Sequence, residues 1–100
     1  RKVVPVMSWF LYVVQCSDGT LYTGITTDIE RRIREHNESK RGAKYTSRRR
    51  PVKLVYSVAY KDRSEAQREE YKFKRLKRTK KLKIIGEQNE SWRPRKIRQD

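Results

Sequence analysis

A chain of 100 residues with 27 Lys and Arg against 12 Asp and Glu carries a formal charge of +15, an excess that attracts polyanions at long range and is screened by salt. At this length it forms one domain with a small core, burying only about 65% of the surface its unfolded form exposes, and its one cysteine, Cys16, excludes an intrachain disulfide and a Cys-based zinc cluster. No long apolar run or amphipathic basic helix supports a membrane partner, so nucleic acid is the expected partner and the cytoplasm the expected location.

Residues 1–6 hold two charges and three valines, too short a stretch for the apolar segment of a secretion signal; Met7 is a candidate start, and residues 1–7 are expected to be a flexible terminus. From Trp9 to Cys16 and again from Leu21 to Thr26 the sequence is aromatic and β-branched, with the turn signal Ser17-Asp18-Gly19 between. A three-residue hairpin loop, a type I turn whose last residue is left-handed, needs glycine third, and Gly19 supplies it. Cys16 then faces Thr20, Tyr22 faces Val14 and Tyr12 faces Gly24. Both tyrosines fall on one face as diagonal neighbours, about 7–8 Å apart at the backbone. A two-residue Asp18-Gly19 turn would put them on opposite faces, because a one-residue slip inverts every side chain.

Asp28 is placed to cap a helix with Glu30 in its first turn, Ile29 and Ile33 on its inner stripe and an end near Asn37; Arg32 and His36 then share a face. Glu38 to Arg50 is polar and basic, contains Gly42, and reads as an exposed loop that Pro51 closes. Val52 to Tyr60 alternates as a strand, and apolar groups on both of its faces predict that it is the central one. Asp62-Arg63-Ser64-Glu65 has the form of a capping box for a helix through about Arg78, with Ala66, Tyr71, and Phe73 or Leu76 available to the core and Glu70 in the middle. Thr79 can cap a last helix that buries Leu82, Ile84 and Ile85 and stops at Gly86. Residues 87–100 are mostly polar and are expected to fray, although Trp92 and Ile97 argue against a wholly loose tail. The expected architecture is α+β: one domain over residues 8–86, a three-stranded antiparallel sheet flanked by helices in the order β-β-α-β-α-α.

Leu11-Tyr12-Val13, Leu21-Tyr22-Thr23-Gly24-Ile25-Thr26, Arg31-Arg32-Ile33-Arg34-Glu35-His36-Asn37 and a helical Glu70 stand in the order found in the GIY-YIG endonuclease superfamily, whose core this chain resembles from about Trp9 to Lys74. The first signature is degenerate, with Tyr12 keeping its key position, and Gly42-Ala43-Lys44-Tyr45-Thr46 is similar to the small stand-alone bacterial subfamily. The family's β-β-α-β-α core agrees with the order read above from the residues. The resemblance implies a divalent-metal-dependent endonuclease acting on DNA rather than RNA, in repair or recombination. Glu70 would ligate one Mg²⁺ or Mn²⁺, Tyr12 help deprotonate the attacking water, Tyr22 orient water or phosphate, Arg32 pair with the phosphate, and His36 position Tyr12 or the nucleophile. An ordinary tyrosine has a pKa of about 10, so the base role requires a nearby cation, Arg32 or the metal, to depress it.

Taken singly these residues are ordinary: tyrosines suit strands, Arg32 and His36 suit a solvated helix face, and Glu70 suits a surface ion pair with Lys74 one turn on. Their combination at this spacing favours a site. Where many members carry a Lys after the signature glycine, Ile25 stands here, and no asparagine lies near Leu82, where many have one; the first difference bears on rate rather than fold. Lys40, Arg41, Lys44, Arg48, Arg49 and Arg50, with Tyr45 among them, are a candidate nucleic-acid contact, and Lys72 to Lys83 is a second basic stretch; neither offers a code for reading sequence, so structure-selective or weakly specific binding is expected. No targeting domain follows in this sequence, which implies loose binding alone or a protein partner. The rival expectation is a non-catalytic nucleic-acid-binding module on the same scaffold, and a third is a ribosome-associated protein.

Overall fold

Among the described residues the elements follow the expected order: β1 (Trp9–Gln15), β2 (Leu21–Thr26), α1 (Ile29–Glu38), β3 (Lys53–Tyr60), α2 (Arg63–Lys74) and α3 (Arg78–Gln88). They come from a computed structural model that describes residues 8–38, 46 and 48–92; of the stretches expected to be flexible, 1–7 and 87–100, residues 1–7 and 93–100 lie outside it, while Glu87 and Gln88 belong to α3. The hairpin has the predicted loop. Gly19 sits at φ 90°, the Cys16 amide donates to the Thr20 carbonyl at 2.8 Å and the Gly19 amide to the Cys16 carbonyl at 3.0 Å, and Tyr12 pairs with Gly24 and Val14 with Tyr22. Asp18 holds the turn, its carboxylate accepting from the Thr20 amide at 3.1 Å and the Thr20 hydroxyl at 2.6 Å.

The sheet order is β2-β1-β3, all antiparallel, so β1 and not β3 is central. The signal lay in β1: Leu11, Tyr12, Val13 and Val14 are four consecutive buried residues, which demands cover on both faces and a strand along each edge. In β3 the apolar residues on both faces mark partial cover, and Leu54 stays 37% exposed. The outer edge of β3 is instead engaged by a side chain. The Gln88 amide accepts from the Ser57 N–H at 3.1 Å and donates to its carbonyl at 2.7 Å, as a neighbouring strand would.

Strand alternation splits the core into two clusters. Leu11 and Val13 pack with Val55, Phe73 and Ile85, extended by Tyr56, Leu76, Ile84 and Trp92. Tyr12, Val14 and Cys16 pack on the opposite face with Val52, Tyr22 and Ile33. A register shift between Val13 and Val14 leaves Val55 as an extra residue in β3, and this bulge turns it into the first cluster.

The helices differ from expectation at their ends. Asp62 caps α2 by accepting from the Glu65 amide at 2.8 Å, while the Glu65 carboxylate reaches back to the Lys61 amide at 3.4 Å. That helix stops at Lys74, not Arg78: the Arg75 amide bonds back to Lys72 and Phe73, and the break lets Leu76 join the core. Tyr71 is not a core residue. It is 61% exposed, with the Arg75 guanidinium 5.4 Å from its ring centroid and donating to its hydroxyl at 2.7 Å. Lys77, not Thr79, occupies the cap of α3, and Gly86 lies inside that helix rather than ending it.

Candidate active site

Tyr12 is placed by the central strand and by the glycine opposite it. A β-carbon on Gly24 would lie 2.7 Å from the Tyr12 hydroxyl and 2.8 Å from its Cζ, inside any allowed contact, so the phenol lies across Gly24 because that residue has no side chain. The second signature thus needs its glycine for space. Tyr22, on the same face, has its ring centroid 6.4 Å from that of Tyr12.

Helix α1 delivers the other partners. The Asp28 carboxylate accepts from the Arg31 amide at 3.1 Å and fixes the first turn, and the four-residue spacing then presents Arg32 and His36 together. His36 Nε2 stands 2.8 Å from the Tyr12 hydroxyl, and Arg32 Nε donates to the same oxygen at 3.4 Å. The Tyr22 ring meets His36 edge-on, with centroids 5.2 Å apart. Arg32 also pairs with Glu35 at 3.0 Å. Of the five expected residues, Arg32 and His36 thus meet at the Tyr12 phenol oxygen, and Tyr22 joins the group through its ring contacts with Tyr12 and His36.

Glu70 approaches from α2. It shares a stripe with Ala66 and Phe73, both buried, and lies near enough for its charge to raise the Tyr12 pKa. Its carboxylate is 3.2 Å from Lys74 Nζ, the ion pair that helical spacing allows. Among the described residues no three His, Cys, Asp or Glu side chains cluster as a ready-made metal cage. A lone carboxylate still suits a hard cation such as Mg²⁺, which keeps several waters and takes one or two carboxylates together with substrate phosphate oxygens.

The electrostatics set protonation states. Burial pushes the Tyr12 phenol up to about 12, against the opposing pull of Arg32; Arg32 acts in the expected direction, but burial outweighs it. Burial also pushes His36 down to about 4, helped by the positive charges of Arg32 and Arg50 and opposed by Glu35, so the ring is neutral at pH 7. Burial disfavours the Arg32 charge, yet its bonds to Glu35 and Tyr12 prevail and raise its pKa.

Sequence reasoning missed Thr46. Glu38 to Arg50 was expected to be an exposed loop, but Thr46 is fully buried, and its hydroxyl lies 2.7 Å from His36 Nδ1. Thr46 is helical rather than in a loop, and its polar surroundings in sequence show no periodicity that marks it as buried; the signals were its place at the end of the Gly42-Ala43-Lys44-Tyr45-Thr46 resemblance and the single histidine's need for a second partner. Of the basic loop, Lys40, Arg41, Lys44 and Tyr45 lie outside the described residues. Arg48 is exposed, Arg49 pairs with Asp18 at 3.1 Å, and Arg50 donates to the His36 carbonyl.

Residues 8–83 match the GIY-YIG catalytic domain family. A UPF0213 protein of Desulfotalea psychrophila is 59% identical over 78 residues, covering 78% of this chain and 71% of that protein. A UPF0213 protein of Staphylococcus saprophyticus is 53% identical over 78 residues, covering 78% of this chain and 94% of that one. The solution structure of a UPF0213 protein from Bacillus halodurans is 42% identical with a TM-score of 0.57, covering 85% of this chain and 89% of that one.

Proposed function

The chain belongs to the GIY-YIG catalytic-domain family, and from that membership we propose that it is an endonuclease hydrolysing phosphodiester bonds in DNA, with structure-selective or weak sequence preference. One observation carries the proposal: Tyr12 is buried yet bonded at its hydroxyl to both a guanidinium and a neutral imidazole, more than a packing tyrosine needs. Arg32 brings permanent positive charge to the oxygen around which phosphate would be held. Tyr12 takes the proton of the attacking water and passes its own to His36, a transfer that requires the negative charge of the bound phosphate to offset the burial and the Arg32 and Arg50 charges that hold the free ring neutral; Tyr22 borders His36 and would orient water or phosphate. Glu70 would hold one Mg²⁺ or Mn²⁺, which supplies charge relief on the phosphate and leaving oxygen. Lys74 keeps the Glu70 carboxylate paired in the free protein.

The net charge of +15 supplies non-specific attraction to the backbone, with Lys40, Arg41, Lys44, Tyr45, Arg48 and Arg49 proposed as contacts and a protein partner proposed for targeting. Among the described residues no helix is long and apolar enough to cross a membrane, and the cytoplasm is the compartment we propose. The test is incubation of the purified protein with labelled single-stranded, duplex, flap and branched DNA, with and without Mg²⁺. Metal-dependent cutting of a preferred shape is the expected result. Tight, salt-sensitive binding with no cutting on any of them would instead identify a binding module.

A further inference from the structure

We propose that Thr46 is a positioning residue that holds His36 in the tautomer protonated on Nδ1, so that Nε2 faces Tyr12 as a bare acceptor. The inference rests on the nuclease reading for its purpose, but on hydrogen-bond bookkeeping for its content.

Among the described residues the Tyr12 hydroxyl has two hydrogen-bond partners, Arg32 Nε and His36 Nε2. A guanidinium only donates. If Nε2 also carried a hydrogen, the phenol oxygen would face two donors, and among the described residues its own proton would have no acceptor in the free protein. The satisfied arrangement has Arg32 donating to Tyr12 and Tyr12 donating to a bare Nε2. The neutral ring then carries its hydrogen on Nδ1, and the atom in reach of that hydrogen is the Thr46 hydroxyl oxygen at 2.7 Å. His36 and Thr46 are both fully buried, so water does not take the place of the threonine. The row Arg32, Tyr12, His36, Thr46 thus runs in one direction, each donating to the next.

This direction suits proton removal. When the water oxygen bonds to phosphorus, its proton passes to the Tyr12 oxygen while the original Tyr12 proton passes to Nε2. The bond from phosphorus to the leaving oxygen breaks with its electron pair on that oxygen. His36 becomes an imidazolium whose Nδ1–H still donates to the Thr46 hydroxyl, and the added proton passes back through Tyr12 to the departing oxygen or to water, which restores the bare Nε2. The opposite tautomer has no lone pair at Nε2 and blocks this route.

The chain has a single histidine, so ring ¹⁵N shifts and couplings report this site without overlap. We expect the Nδ1–H tautomer in the wild type, a change to Nε2–H in Thr46→Val, which keeps the shape but removes the acceptor, and retention of Nδ1–H in Thr46→Ser. Cleavage should fall about 10- to 100-fold in turnover with unchanged KM in Thr46→Val, by analogy with loss of the partner that orients a metal-bound histidine, and most of it should return in Thr46→Ser. An Nε2–H ring in the wild type overturns the proposal, as does a Thr46→Val protein that keeps Nδ1–H. Should Thr46→Val fail to fold, the wild-type and Thr46→Ser spectra still decide the tautomer. The spectra need no substrate, so an Nδ1–H ring in a protein that cuts nothing would sink the nuclease reading alone.

Discussion

The Tyr12 ring lies against the backbone of Gly24 so closely that the glycine's missing β-carbon would stand 2.7 Å from the phenol oxygen. Gly24→Ala must therefore push that ring away from Arg32 and His36, or open the β1–β2 pair. We predict a stability loss of about 1–3 kcal/mol, the usual cost of forcing extra volume into a packed site, with cleavage falling much further than stability. Urea melts alongside cleavage rates check this; an alanine protein with wild-type activity would show that Tyr12 needs no such placement.

His36 makes stability depend on pH in a definite direction. Its folded pKa of about 4 lies below the ordinary 6.5, so the unfolded chain takes the proton first. The stability it confers is fully present above pH 6.5 and is lost as pH falls toward 4, by up to about 3 kcal/mol. Among the described residues the groups facing the ring are Tyr12, Tyr22, Arg32, Glu35, Thr46 and Arg50. Subtracting the stability curve of His36→Gln from that of the wild type isolates this contribution. A flat difference between those pH values would contradict burial of a neutral ring.

Glu70→Ala should separate chemistry from folding. The Glu70–Lys74 pair joins side chains that are 21% and 53% exposed, so its loss should change stability by no more than about 1 kcal/mol. Binding to DNA should persist while metal-dependent cutting disappears. Fluorescence anisotropy and thermal melting give both checks, and a variant that cuts as fast as the wild type would remove Glu70 from the site.

Much of the site was legible because local chemistry dictated it. A glycine third in the loop set the hairpin register, which set the face shared by Tyr12 and Tyr22; Asp28 set the start of α1, which set the pairing of Arg32 with His36. What depended on contacts between distant segments was not legible. Thr46 is buried where its hydroxyl meets His36, and no hydrophobic pattern in the sequence around it marks that. Tyr71 points outward because the core stripe of α2 runs through Ala66, Glu70 and Phe73. The apolar residues of β3 reported cover by other layers and not a neighbour on each edge, and the second edge went to Gln88, a residue expected in the frayed tail. Gly86 had the composition of a helix stop, but packing of Ile85 and the Gln88 bonds to Ser57 carry α3 past it.

Edge capping by Gln88 has its own consequence. Gln88→Ala removes both hydrogen bonds to Ser57 and should cost about 1–2 kcal/mol while baring the β3 edge to a second copy. Thermal melts and light scattering at rising concentration measure the two effects. Unchanged stability and no added association would mean that water replaces the amide without penalty.

The most direct test is Tyr12→Phe, which removes one oxygen from the point where Arg32 and His36 meet. On the DNA shape that the wild type cuts best, cleavage in Mg²⁺ and binding affinity should be measured side by side. Binding within a few-fold of wild type with cutting reduced by about 10²-fold or more is the predicted result. A phenylalanine protein that cuts at the wild-type rate would contradict a proton-transfer role for Tyr12 and the active site built around it.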